Sequence, residues 1–225
     1  GFTNHLVNLV CRIIPNSSKD DAEKEEEPHY FYVDEKMLRT PIIAVPQVKL
    51  EIENMAAIAM RNFDIAIQTA INMDFSDKKE FQKNELQLNF LNRALVTYIV
   101  QLNNSTISEV DRRYLTSAIR SISDIERVGD YAENIVEYTE VMSAANERFP
   151  ESTCLEFEQM KETITTLYNH VMKAYNDQDM EALRLAKEVE EQVDDLTEYM
   201  EKKHIDRLTS GEYSATIGAQ YLEFA

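Results

Sequence analysis

The feature that most constrains the fold is a helical repeat of apolar residues that begins near Val48. In its first block, the apolar side chains are separated alternately by four and three residues, which places them on one face of an α-helix. They are Ile52, Ala56, Ala59, Phe63, Ala66, Ala70 and Met73. The 225 residues include only four glycines and five prolines, so little interrupts such helices. The pattern predicts an all-α protein without a sheet.

Polar breaks divide the periodic sequence into successive helices. The first helix should end at the segment "NMDFSD", where Ser76 or Asp77 can cap the next helix. The spacing then predicts a second helix over about 78–102. After the break "NNSTISEVD", it predicts a third helix over about 109–142. These segments form the first predicted unit, residues 47–145.

The second half of the chain repeats this arrangement. Its periodic apolar residues are Phe157, Met160, Ile164, Leu167, Val171 and Ala174. Asp177 or Asp179 can cap a following helix over about 180–208, and a further helix should begin near Ala215. Glu190 then corresponds to Glu85, at an offset of 105 residues. We therefore predict two tandem three-helix units, the second over 146–225 and incomplete at its C-terminal end.

The first 46 residues differ in character from the rest. Residues 1–15 hold a short apolar run, which is either the end of a membrane segment or an amphipathic surface helix, because spanning takes about 20 apolar residues. Residues 16–46 are predicted to be an acidic linker followed by an extended lead-in. The lead-in is expected to be non-helical because it contains Pro41 and Pro46.

Charge and motif content exclude several classes of function. The net charge of −18 disfavours nucleic-acid binding, which requires basic patches. The two cysteines lie far apart without a CxxC pattern, so we expect neither a disulfide framework nor a thiolate zinc site. A carboxylate-bridged di-iron enzyme would need two Glu-x-x-His motifs, and Glu201 with His204 is the one helical example. We do not expect an enzyme.

An acidic stripe on the third predicted helix is the main candidate site. Side chains four residues apart share a helix face, which groups Glu126, Asp130, Glu133, Asn134 and Glu137. The apolar stripe beside it contains Gly129, which costs about 1 kcal/mol relative to alanine in a helix and therefore suggests close approach of a neighbouring helix. Clustered carboxylates are either ligands for a hard cation or an ordinary solvated face. Glu190 with Asp194 shows the same spacing in the second unit, whereas its counterpart in the first, Glu85 with Asn89, has one charge fewer.

The segment "SDIERVGDYAENI", residues 123–135, resembles the signature of the PhoU family, an Asp-x-Glu-Arg-Ile-Gly-Asp-His box followed by Asn-Ile. The matching residues are Asp124, Glu126, Arg127, Gly129, Asp130, Asn134 and Ile135. Val128 replaces isoleucine and Tyr131 replaces histidine. The resemblance implies two tandem three-helix units, acidic boxes that bind metal clusters, and a role in regulating phosphate uptake.

The lead-in "YVDEKMLRTPIIAVPQVKLEIENMA" resembles the start of the cytosolic PhoU-like domain in bacterial sodium/phosphate cotransporter family proteins. This implies a regulatory domain on the cytoplasmic side of the bacterial plasma membrane, with the apolar run in residues 1–15 as the end of spanning segments before Gly1. The 105-residue offset separately predicts a second acidic box just after Ala225, because it places the counterpart of Glu126 there. The implied partners are its own transmembrane transport domain and further copies in a homo-oligomer. If metal binds, with iron, zinc and manganese as the candidates, we expect Glu126 and Asp130 to be ligands because they match the family box and lie one turn apart. Glu190 and Asp194, which have the same spacing in the second unit, are the candidates for a second metal patch. The alternative is a metal-free helical module that docks partner proteins.

Overall fold

The computed structural model describes residues 27–214, 217–218 and 221, and most of these residues are helical. A short 3₁₀ helix, Glu35–Arg39, precedes five α-helices, and these residues contain no strand. The α-helices are α1 (Pro41–Asn72), α2 (Lys78–Asn103), α3 (Glu109–Ala144), α4 (Glu151–Asp177) and α5 (Met180–Ser210). The predicted all-α fold is therefore confirmed. The segments predicted over residues 1–15 and 16–26 lie outside the described residues.

Helices α1, α2 and α3 pack against one another, each contacting the other two. Their shared core is formed by apolar side chains with no solvent exposure. It includes Val48, Met55, Leu88, Leu91, Leu95, Ile99, Leu115 and Ile122. Burying a side chain of this kind contributes about 1.5–3 kcal/mol, so this core fixes the spacing of α2 and α3.

Helices α4 and α5 form an antiparallel pair that joins the first three helices through packing of α4 on α1. The rings of Phe149, Phe157 and Tyr221 pack together in a second core, with Leu196 and Met200 from α5. The repeat is visible in the helix ends, because α1 ends at Asn72 and α4 ends at Asp177, 105 positions later.

The expected extended lead-in is wrong over most of its length. Glu35–Arg39 is a 3₁₀ helix, and α1 already begins at Pro41. The carbonyl of Thr40 accepts hydrogen bonds from the backbone N–H groups of Ile43 and Ala44, at 2.9 and 3.0 Å. A proline at the first helical position loses no hydrogen bond, because that N–H would have no helical partner. Pro46, one turn later, removes only one N–H bond, so the two prolines do not prevent a helix here.

One predicted cap forms as expected. The side chain of Asp179 accepts hydrogen bonds from the N–H groups of Glu181 and Ala182 at the start of α5. Asp77 is the residue before α2, but its side chain makes no capping bond.

The helices also differ from membrane-spanning segments. Within the described part of the chain, none is both long enough and apolar enough to cross a membrane.

Candidate functional site

The site forms at a close contact between α2 and α3, at Gly129. A Cβ atom at this position would lie 2.8 Å from Cδ1 of Leu88 and 3.2 Å from Oε2 of Glu85, both on α2. The first of these distances is shorter than carbon atoms tolerate, so only glycine fits without a shift of the core. Gly129 therefore serves the close helix approach that the sequence predicted.

Glu85 is a buried carboxyl group at this contact, and its side chain is 7% exposed. Its Oε1 accepts a hydrogen bond from Nδ2 of Asn89 at 2.9 Å, whereas its buried Oε2 has no hydrogen-bond partner within the described part of the chain. Burial, followed by the negative charges of Glu133, Asp130 and Glu126, raises the pKa of Glu85 to about 7, and the bond from Asn89 opposes this shift. Glu85 can therefore exchange a proton near neutral pH.

The acidic stripe of α3 faces this buried carboxyl group. Glu126 is half-buried, whereas Asp130 and Glu133 are exposed. Partial burial, and then the charges of Glu137 and Asp130, also raise the pKa of Glu133. The arrangement concentrates negative charge on both sides of Gly129, so either protonation of Glu85 or a bound cation would relieve the repulsion.

The four predicted metal ligands fall in two places. Glu126 and Asp130 lie one turn apart on α3, in the electrostatic neighbourhood of Glu85. Glu190 and Asp194 are exposed on α5, which packs on α4 rather than on α3. The structure therefore does not bring the two pairs to one site.

Carboxylate oxygens are the donors that hard cations prefer, and Glu126 and Asp130 lie in the electrostatic neighbourhood of Glu85 Oε2, which has no hydrogen-bond partner in the part of the chain that the structure describes. Across the described residues, however, no three or more His, Cys, Asp or Glu side chains are grouped in a way that could hold a metal ion. The ligand roles of Glu126, Asp130, Glu190 and Asp194 stay predictions.

Sequence reasoning recognised Glu85 only as the repeat counterpart of Glu190. The signals available in the sequence were the spacing of Glu85 to Asn89 on α2 and the glycine at position 129 on α3. Because these signals belong to different helices, the sequence does not connect them. Only the packed structure shows that Glu85 points at Gly129.

A second buried polar group joins α4 to α5. Arg207 donates two hydrogen bonds to the carboxylate of Glu156, each at 2.7 Å. His204 stacks on Tyr221 with ring centroids 4.4 Å apart, and neither ring nitrogen has a hydrogen-bond partner among the described residues. Burial, and then the charge of Arg207, lower the pKa of His204. Glu201 is exposed whereas His204 is buried, so the single Glu-x-x-His motif is not a shared ligand pair.

These features define a helical bundle with a buried carboxyl group facing an acidic helix stripe. Residues 52–139 match the family model of the PhoU domain, a range that contains Glu85, Gly129 and the stripe. The predicted resemblance to the PhoU family is confirmed over this range, and the all-helical fold agrees with a PhoU-like bundle. The family is one of regulatory helical domains, and the match indicates a phosphate-related regulatory role. No curated protein and no solved structure gave a significant match.

Proposed function

We propose that the chain is the cytosolic regulatory domain of a sodium-dependent phosphate cotransporter-like membrane protein of bacteria. In this role it senses or transmits phosphate status to its own transmembrane transport domain, at the cytoplasmic side of the plasma membrane. The observation that carries the proposal is the PhoU-domain match, which covers the acidic site. The resemblance of the lead-in to sodium/phosphate cotransporter family proteins supports the transporter context.

In this proposal the acidic stripe is the part of the domain whose charge changes, through binding or release of a metal ion. Glu126 and Asp130 would hold iron, zinc or manganese, whose positive charge would offset the repulsion that Glu85 experiences. Glu190 and Asp194 form a second, exposed patch with the same donor spacing. Gain or loss of charge between α2 and α3 would alter how firmly the two helices pack, which is the signal passed to the transport domain.

The direct experiment measures phosphate uptake in cells that produce the protein from its complete natural gene. Wild type is compared with the double variant Glu126→Ala, Asp130→Ala under low and high phosphate supply. The proposal predicts that the variant is folded and inserted but that its uptake no longer responds to phosphate supply. An unchanged response in a folded variant would reject the proposal.

The alternative function is a metal-free helical module that docks partner proteins. It is favoured by large apolar side chains that lie in solvent near the start of α1, namely Phe31, Ile42, Ile43 and Leu50. Elemental analysis separates the two functions, because the module predicts a purified protein that takes up neither iron, zinc nor manganese. Further copies of the chain are candidate partners under both functions, and sedimentation of the purified protein tests for a homo-oligomer.

A further inference from the structure

The segment before α1 is hydrogen-bonded to the bundle through its backbone. We call residues 29–34 the strap. The strap contains neither helix nor strand. Val33 is its buried side chain, whereas Phe31 and Tyr32 are about half exposed. Side-chain packing therefore accounts for only part of its attachment.

Glu51 of α1 supplies the strongest of the strap's hydrogen bonds. It is fully buried, and its Oε2 accepts from the N–H groups of Phe31, Tyr32 and Val33 at 2.9, 2.6 and 3.1 Å. Its Oε1 accepts from the side chain of Asn54 at 3.2 Å. Three successive N–H groups around one oxygen form an anion-binding concavity, and hydrogen bonds to a charged acceptor are about twice as strong as neutral ones.

Gln87 fastens the strap to α2. It accepts a hydrogen bond from the N–H of His29 at 3.1 Å and donates one to the carbonyl of the same residue at 2.6 Å. Like Glu51, Gln87 is buried, so both side chains would lose their partners if the strap left. The strap is thus hydrogen-bonded to both α1 and α2 through its backbone groups, beside the side-chain packing of Tyr30 and Val33.

Comparison of the two units shows that the strap stabilises a buried glutamate in the first unit, as an arginine does in the second. Glu51 and Glu156 are 105 positions apart, and both are buried glutamates early in the first helix of their units. Glu156 is neutralised by Arg207 of α5, at 2.7 Å. The corresponding residue of α2 is Leu102, which offers no charge. In the first unit, the strap N–H groups take the place of the missing cation.

From this arrangement we propose that the strap is a detachable latch whose release loosens α2 at the acidic site. Helix α2 carries Gln87 toward the strap and, two residues earlier, Glu85 toward Gly129 of α3. A displacement of the chain before His29 would pull on Gln87 directly. The latch is a property of the described residues and does not rest on the proposed function.

The test is native-state hydrogen exchange on the full chain, comparing wild type with Glu51→Gln. The substitution keeps the shape of Glu51 but removes its charge, so we expect the Phe31, Tyr32 and Val33 amides to exchange about tenfold faster. If the strap is coupled to the site, amides of α2 near Leu88 and of α3 near Gly129 should also exchange faster. Amides of α4 should not change.

Glu156→Gln is the matched control, because it neutralises the equivalent buried glutamate without touching the strap. It should leave the strap amides at their wild-type rates. If Glu51→Gln prevents folding, Gln87→Met removes both strap bonds on α2 without a charge change and is judged by the same rates. Faster strap exchange with unchanged α2 and α3 rates overturns the latch, as does a wild-type strap that exchanges like an unfolded chain.

Discussion

Glu85 carries the largest electrostatic cost among the residues of the candidate site. Its carboxyl group is buried, and one oxygen has no hydrogen-bond partner among the described residues. This burial, and then the charges of three further carboxylates, raise the pKa of Glu85 to about 7. A carboxyl group with a higher pKa in the folded chain binds its proton more tightly when folded. The free energy of unfolding should therefore fall as pH rises from the ordinary pKa of 4.5 toward 7, and level off above it.

Glu85→Gln should remove this penalty. Glutamine keeps an oxygen for the bond from Asn89 but carries no charge, so we expect stabilisation of about 2 kcal/mol at pH 8 and almost none at pH 4. Urea unfolding at both pH values measures the difference. Glu80→Gln on the same helix is the control, because the hydrogen bond from Arg61 lowers the pKa of Glu80 and the substitution should not stabilise the protein. Equal stabilisation by Glu85→Gln at pH 4 and pH 8 would contradict the electrostatic account.

Gly129→Ala should destabilise the protein although alanine favours helices. The new methyl group would lie 2.8 Å from Cδ1 of Leu88, which is fully buried, so we expect a loss of about 1–3 kcal/mol. Thermal or urea unfolding measures this loss. Combining the change with Leu88→Val removes the clashing atom. The free energy of unfolding should therefore fall by less in the double variant than the sum of its losses in the two single variants. A neutral or stabilising Gly129→Ala would show that α2 and α3 do not meet as described.

At the scale of the helices, the ends of α4 and α5 each depend on the backbone conformation of one residue. Both α4 and α5 end with a residue in the left-handed conformation, Gln178 at φ 54° and Gly211 at φ 76°. Glycine adopts this conformation without strain, whereas a residue with a Cβ atom does so at a cost. The two helices of the second unit therefore end in the same geometry with unequal strain.

Opposite substitutions at these ends should have opposite effects. We expect Gln178→Gly to stabilise the protein and Gly211→Ala to destabilise it, each by up to about 1 kcal/mol. Melting temperatures of the two variants and wild type measure both effects in one experiment. Shifts in the same direction would mean that neither end holds the left-handed conformation.

The sequence predicts a helix well where the signal comes from residues close together in the chain. The apolar spacing and the polar breaks place the ends of α2, α3 and α5 within two residues. The start of α1 was misplaced because Pro41 and Pro46 suggested an extended chain, although a first helical turn tolerates proline. Local spacing alone cannot tell a proline that breaks a helix from one that begins it.

For the molecule as a whole, the sequence indicates the 105-residue offset that relates the ends of α1 and α4, but not the buried polar contacts. The acidic stripe has a helical spacing and is visible in the sequence. The bonds of Glu51 to the strap and of Glu156 to Arg207 join residues that are distant in the chain, and although the two glutamates follow the repeat, their partners do not. Burial of Glu85 likewise depends on how α2 meets α3. A sequence therefore identifies candidate acidic residues more readily than it shows which of them are buried.

The central claim is that the acidic site between α2 and α3 responds to a cation, and metal titration of the purified protein tests it most directly. Melting temperature and calorimetric heat would be followed with iron, zinc and manganese for wild type and two double variants. One is Glu126→Ala, Asp130→Ala, and the other is Glu190→Ala, Asp194→Ala. Because a ligand that binds the folded state stabilises it, metal should raise the melting temperature of wild type. The first variant should lose this rise, and the second should keep most of it because its residues lie on α5. If no metal stabilises wild type, or if the first variant responds as wild type does, the claim is wrong.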